Sequence, residues 1–159
     1  MFRKVLLAVA LQDWEAPNPY ARAAREVAIQ LAKGSSSPLH VLTLYRYQAP
    51  TIEKNPFIGS QVLRETEHLM QAEEEAVRTA VEAKLRQYAQ DIEDAGVSVV
   101  RLVRPGNPRE EVIRVAEEVR ADLIVIGSHS KRRLLDIGST AQTICKRSPV
   151  TVVMAAPPQ

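Results

Sequence analysis

Five short apolar runs are spaced along the chain, and a helical pattern separates each from the next. The runs are "KVLLAVAL" (4–11), "LHVLTLY" (39–45), "VSVVRLV" (97–103), "DLIVIG" (122–127) and "VTVVMA" (150–155). The first is continuous rather than alternating, as expected of a strand buried on both faces. After it, "YARAAREVAIQLAK" places Ala23, Val27 and Leu31 on one helical face with Ala24 and Ala28 beside them, and Gly34 follows as a stop. The stretch from Tyr47 to Gly59 is irregular, with Pro50 and Pro56. From about Ser60 to Ala95, Met70, Val77, Val81, Leu85, Tyr88 and Ile92 recur at steps of three, four or seven and mark one apolar stripe that ends at Gly96. Such a helix approaches about 50 Å, so a kink or a frayed first turn is expected. Asn107 reads as the N-cap of the next helix, with Pro108 at its first position and Glu110 and Glu111 at its positive dipole end. A short helix over 139–148 precedes the last strand.

This order, β-α-β-α-β-α-β-α-β, calls for parallel strands joined by helical crossovers. The fold class is therefore α/β, a doubly wound five-stranded parallel sheet with helices on both faces, Rossmann-like. The length of 159 residues fits one domain spanning 1–159. With 45% apolar residues the chain can build a core without a disulfide or structural metal, and no His/Cys/Asp/Glu spacing resembles a metal site. A net charge of +2, with acids mixed among the bases, gives no argument for a nucleic-acid partner. The lone Cys145 has no intrachain partner, which favours a reducing, cytoplasmic setting. The apolar run Val5 to Leu11 is too short to span a bilayer and reads as a strand rather than a signal peptide; no segment is expected to enter a membrane.

The segment "ADLIVIGSHSKRRLLDIGSTAQTI" (121–144) carries the chemistry. Gly127 ends a buried strand and lets the backbone approach a ligand without a Cβ. Gly138-Ser139-Thr140 opens a helix whose free N–H groups suit an anion, and the two hydroxyls either cap that helix or bind a phosphate oxygen. Lys131, Arg132 and Arg133 add positive charge between them. Spacing alone leaves two readings, a phosphate loop or an ordinary strand-to-helix turn. It matches neither the Walker pattern nor Gly-x-Gly-x-x-Gly. His129 has no evident acid or nucleophile partner, and reads as a polar loop residue. Trp14 either stacks on a base or covers an edge of the core.

"ADLIVIGSHSK", then "GST" opening a short helix, then "SPVTVVM" as the last strand, resembles the universal stress protein family, as do the first strand and "RPGNPREEVIRVAEE". The resemblance implies an adenine nucleotide alpha hydrolase-like sheet and a homodimer paired through the last strand, Val150 to Ala155. It also implies either ATP or AMP binding, without a metal predicted, or a branch without the nucleotide motif. The binding branch has Gly-x-x-Gly, nine residues, then Gly-Ser/Thr. Here Gly127, Gly138 and Ser139 match, Ser130 replaces the second glycine, and the spacer is two residues short. The family's acid after the first strand falls on Ala10, with Asp13 three residues on, and its backbone contact to adenine falls near Leu44. The implied nucleotide site is Ala10, Asp13, Leu44, Gly127, Ser128, His129, Ser130, Lys131, Gly138, Ser139 and Thr140. The expected function is a dimeric sensor or signalling module; the alternative is a module acting through protein contacts alone. No general base or magnesium hydroxyl is evident, so any ATP hydrolysis is expected to be slow.

Overall fold

The computed structural model describes residues 2–12, 15–49, 57, 59–127 and 138–158. β1 (Val5–Val9) leads to α1 (Pro19–Ala32), β2 (Leu39–Tyr45), α2 (Ser60–Asp94), β3 (Val99–Pro105), α3 (Pro108–Val119), β4 (Leu123–Gly127), α4 (Ser139–Arg147) and β5 (Thr151–Ala155). The strands form one sheet in the order β3-β2-β1-β4-β5, and every pairing is parallel. The doubly wound sheet expected from the sequence is the one observed.

Neighbouring residues of the apolar runs point to opposite faces, so each run feeds two cores. Leu7, Val41, Leu123 and Val125 join alanines 23, 24 and 28 of α1 and Leu85, Tyr88 and Ile92 of α2. Leu6, Leu42, Ile124 and Ile126 pack instead with Val112, Val115 and Ala116 of α3 and Ala141 and Ile144 of α4. The alanines of α1 let that helix lie close on β1 and β4. Val27 and Leu31, expected on the same face, are only half-buried.

Helix α2 is continuous over 35 residues from Ser60, so of the kink or frayed first turn expected from its length, the first turn is helical. Its C-terminal half is anchored by Val81, Leu85, Tyr88, Ala89 and Ile92. The N-terminal half is largely exposed, with Met70 and Val77 half-buried, and one-turn pairs such as Gln61–Glu65 at 3.4 Å lend it local support. Gly96 then adopts a positive φ of 85°, and Val97 N donates back to Ile92 O at 3.3 Å, closing the helix.

Two strand boundaries differ from expectation. The first run, read as 4–11, is a strand only over Val5–Val9; Leu11 is buried in the following loop rather than in the sheet. The third, read as 97–103, is shifted to Val99–Pro105. Val97 belongs to the helix closure, and pairing with Leu44 and Tyr45 carries the strand on to Arg104 and Pro105. Proline is tolerated there because β3 is an edge strand.

Asp122 ties the starts of β1 and β4 together. Its carboxylate accepts from Arg3 N at 2.7 Å and Lys4 N at 2.9 Å. Desolvation pulls its pKa up, but these N–H donors outweigh it and hold the carboxyl below its ordinary 3.8. An Asp122→Ala variant is expected to lose about 1 kcal/mol at neutral pH, discounted for solvent exposure. The folded pKa is depressed, so the stabilisation is present above the ordinary carboxylate value and is lost as pH falls through the folded one. Urea unfolding at pH 7 and below pH 3 checks this: the gap between wild type and variant should shrink in acid.

Candidate functional site

At β1 and β4 the winding reverses, because β1 is followed outward by β2 on one side and by β4 on the other. Open α/β sheets place ligands in the crevice outside the carboxyl ends of the strands at such a point. A cleft of about 330 Å³ opens there. Its floor is apolar, made by Ala8 and Val9 of β1 with Ala10 just after it, Leu42 and Leu44 of β2, and Ile126 and Gly127 of β4. The start of α1 contributes Asn18, Tyr20 and Ala21; α3 contributes Pro108 and Val112; α4 contributes Ser139, Thr140, Ala141 and Ile144, with Gly138 before it. None of these described lining residues carries a carboxylate or an imidazole.

Gly127 is needed for close approach, not for backbone freedom. A Cβ placed on it would meet Tyr20 O at 3.1 Å and Tyr20 C and Cβ at 3.2 Å. The end of β4 therefore lies directly against the first turn of α1. That turn is fixed in two ways. Asn18 caps it by accepting from Ala21 N at 2.8 Å, and the buried Tyr88 hydroxyl donates to Ala21 O at 2.6 Å.

Three of the helices begin at the cleft, and they are capped differently. Asn18 caps α1 and Asn107 caps α3, the latter accepting from Arg109 N at 3.0 Å. Helix α4 starts from Gly138 with no side-chain cap. Ser139 stands one position inside the helix, and its hydroxyl does not cap it; it accepts instead from Arg109 Nη2 of α3 at 2.8 Å. Among the described residues no side chain caps the first N–H groups of α4, which face the cleft as donors suited to an anion.

Of the residues singled out in the sequence, Ala10, Leu44, Gly127, Gly138, Ser139 and Thr140 come together on the cleft. Asp13, Ser128, His129, Ser130 and Lys131 lie outside the described residues, as do Trp14, Arg132 and Arg133. His40 and His68 lie away from the cleft, on β2 and α2. Sequence reasoning missed Asn18, Tyr20 and Arg109. Asn18 before Pro19 carried an N-cap signal, but the contribution of Tyr20 and Arg109 depends on which helices the sheet order makes neighbours. The last strand is an edge strand: among the described residues β5 pairs only with β4. Among the described residues no helix is long and apolar enough to cross a membrane.

Comparison with known proteins follows the same lines. A profile of the universal stress protein family matches residues 1–156. The universal stress protein MJ0577 of Methanocaldococcus jannaschii is 36% identical over 74 residues, 44% of this chain and 46% of that protein, so the aligned stretch spans about half the length of that relative. The solved structure of MJ0577 superposes with a TM-score of 0.74, covering 100% of this chain and 99% of its own at 19% identity. A universal stress protein in complex with cAMP gives a TM-score of 0.64 at 19% identity, with 99% of this chain and 98% of that one covered. A universal stress protein from Archaeoglobus fulgidus in complex with dAMP gives 0.59 at 16% identity, with 96% of each chain covered. These structural likenesses share the fold described above.

Proposed function

This chain belongs to the universal stress protein family, and we propose that its cleft binds an adenine nucleotide, ATP or AMP, through which the protein acts as a sensor or signalling module. The observation that carries this reading is the pairing, on one cleft, of an apolar floor with a helix start that no described side chain caps. An adenine ring suits the floor between Ala10 and Leu44, where apolar surface and nearby backbone groups are both available. The phosphates suit Ser139, Thr140 and the first N–H groups of α4, where the helix dipole favours negative charge. Family members in complex with cAMP and with dAMP support the choice of base.

We take the chain as one domain and its active form as a homodimer paired through β5. The sequence of β5, Thr-Val-Val-Met-Ala, carries no charge and no proline to guard its free edge. The alternative, a module acting through protein contacts alone, draws on the serine at 130 and the spacer two residues short.

Thermal unfolding with and without millimolar AMP, ATP or adenosine separates the two. A ligand present at about one hundred times its dissociation constant should add about 2.7 kcal/mol of stability. A shift with AMP or ATP is the expected result. No shift with any of the three would leave only the protein-contact reading.

A further inference from the structure

We propose that Arg109 reads the phosphate end of the ligand, which makes this a site for nucleoside phosphates rather than for nucleosides. The inference rests on the nucleotide reading of the cleft and adds the residue that sets its ligand class.

Arg109 is the second residue of α3, and Ser139 is the first residue of α4. The guanidinium Nη2 donates to Ser139 Oγ at 2.8 Å, and Ser139 lines the cleft. This bond occupies an acceptor site on the hydroxyl oxygen and leaves the O–H proton free to donate. Arg109 therefore holds Ser139 as a donor beside the cleft. A guanidinium has five N–H donors, and the Ser139 bond uses one of them. Among the described residues no carboxylate lies within ion-pair distance of Arg109. The acids that follow it do not serve: Glu111 pairs with Arg114 at 3.0 Å, and Glu110 forms no ion pair among the described residues.

A cation in the first turn of a helix faces the positive end of its dipole. Here the starts of α3 and α4 border the cleft through Pro108, Ser139 and Thr140, and Arg109 stands beside it through its bond to Ser139. An oxyanion there would be met by the planar fork of an arginine, which binds phosphate in a bidentate way, and by a hydroxyl already turned to donate. Nothing in this arrangement addresses the base or the ribose.

The test is a set of dissociation constants for adenosine, AMP, ADP and ATP with wild type, Arg109→Ala and Arg109→Lys, each variant's fold checked by circular dichroism. Wild type should prefer AMP to adenosine. Arg109→Ala should weaken AMP and ATP about tenfold or more, as loss of a hydrogen bond to a charged group does, and leave adenosine within about twofold. Arg109→Lys, which keeps the charge but loses the fork, should recover part of the loss. The wild-type preference for phosphate should also fall as salt is raised. A merely structural bridge between α3 and α4 would weaken all four ligands alike, and that outcome overturns the inference while leaving the nucleotide site intact. Equal wild-type affinity for adenosine and AMP overturns it too. If wild type binds none of the four, this inference falls together with the nucleotide reading.

Discussion

Tyr88→Ala is expected to lower stability by about 3–5 kcal/mol, the range for removing a large aromatic side chain from a packed core. That is a large share of the roughly 5–15 kcal/mol that stabilises a typical domain. The ring is only 1% exposed and joins α2 to α1. Its hydroxyl donates to Ala21 O at 2.6 Å, and the Arg25 guanidinium sits 4.8 Å from the ring centroid. Arg25 also donates to Tyr88 O at 3.1 Å and pairs with Asp91 at 2.9 Å, so one cation of α1 binds three groups of α2. Burial pushes the Tyr88 phenol above its ordinary pKa, against a smaller opposite pull from Arg25, which favours the protonated, donating form. Tyr88→Phe keeps the ring and should cost only about 1 kcal/mol, because Ala21 O stays within reach of its own helical partner. Urea unfolding of both variants separates packing from the hydrogen bond. The consequence reaches the site, since Ala21 and Tyr20 form one wall of the cleft. Tyr88→Ala should therefore also weaken binding there.

Gly127→Val is expected to cost about 1–3 kcal/mol and to abolish stabilisation by nucleotide. The Cβ alone would stand 3.1 Å from Tyr20 O, and the two added methyl groups must displace the first turn of α1 or turn into the cleft. Neither leaves the floor and the α1 wall where they are. Gly127→Ala should be milder, because a shift of a few tenths of an ångström relieves its contact. The check is thermal unfolding with and without AMP for wild type and both variants. A folded Gly127→Val protein that still gains full stability from AMP would move the ligand away from this cleft.

Much of the fold is legible in the sequence because its local signals agree with one another. β2 spans Leu39–Tyr45, the same residues as the apolar run that announces it. Helix α3 starts where Asn107, Pro108 and the two glutamates place it. The errors fall where an apolar residue is buried without being in a strand. Leu11 and Val97 are both buried, yet one lies in a loop and the other in a helix closure. Hydrophobicity reports burial and leaves backbone conformation open at the ends of elements. The site is legible in part for a similar reason. Gly127 and Gly138-Ser139-Thr140 mark a strand end and a helix start, which local sequence encodes. Ala10 and Leu44 came from the family resemblance. Arg109 reaches Ser139 across 30 positions of sequence, and only the packing of α3 beside α4 brings them together.

The most direct measurement is a crystal structure of the protein grown with AMP, together with the AMP dissociation constant in solution. The account predicts the adenine ring over the floor formed by Ala10 and Leu44, and the phosphate within hydrogen-bond distance of Ser139 Oγ and the Arg109 guanidinium. A nucleotide bound elsewhere on the molecule, or a cleft that stays empty at saturating AMP, would contradict it.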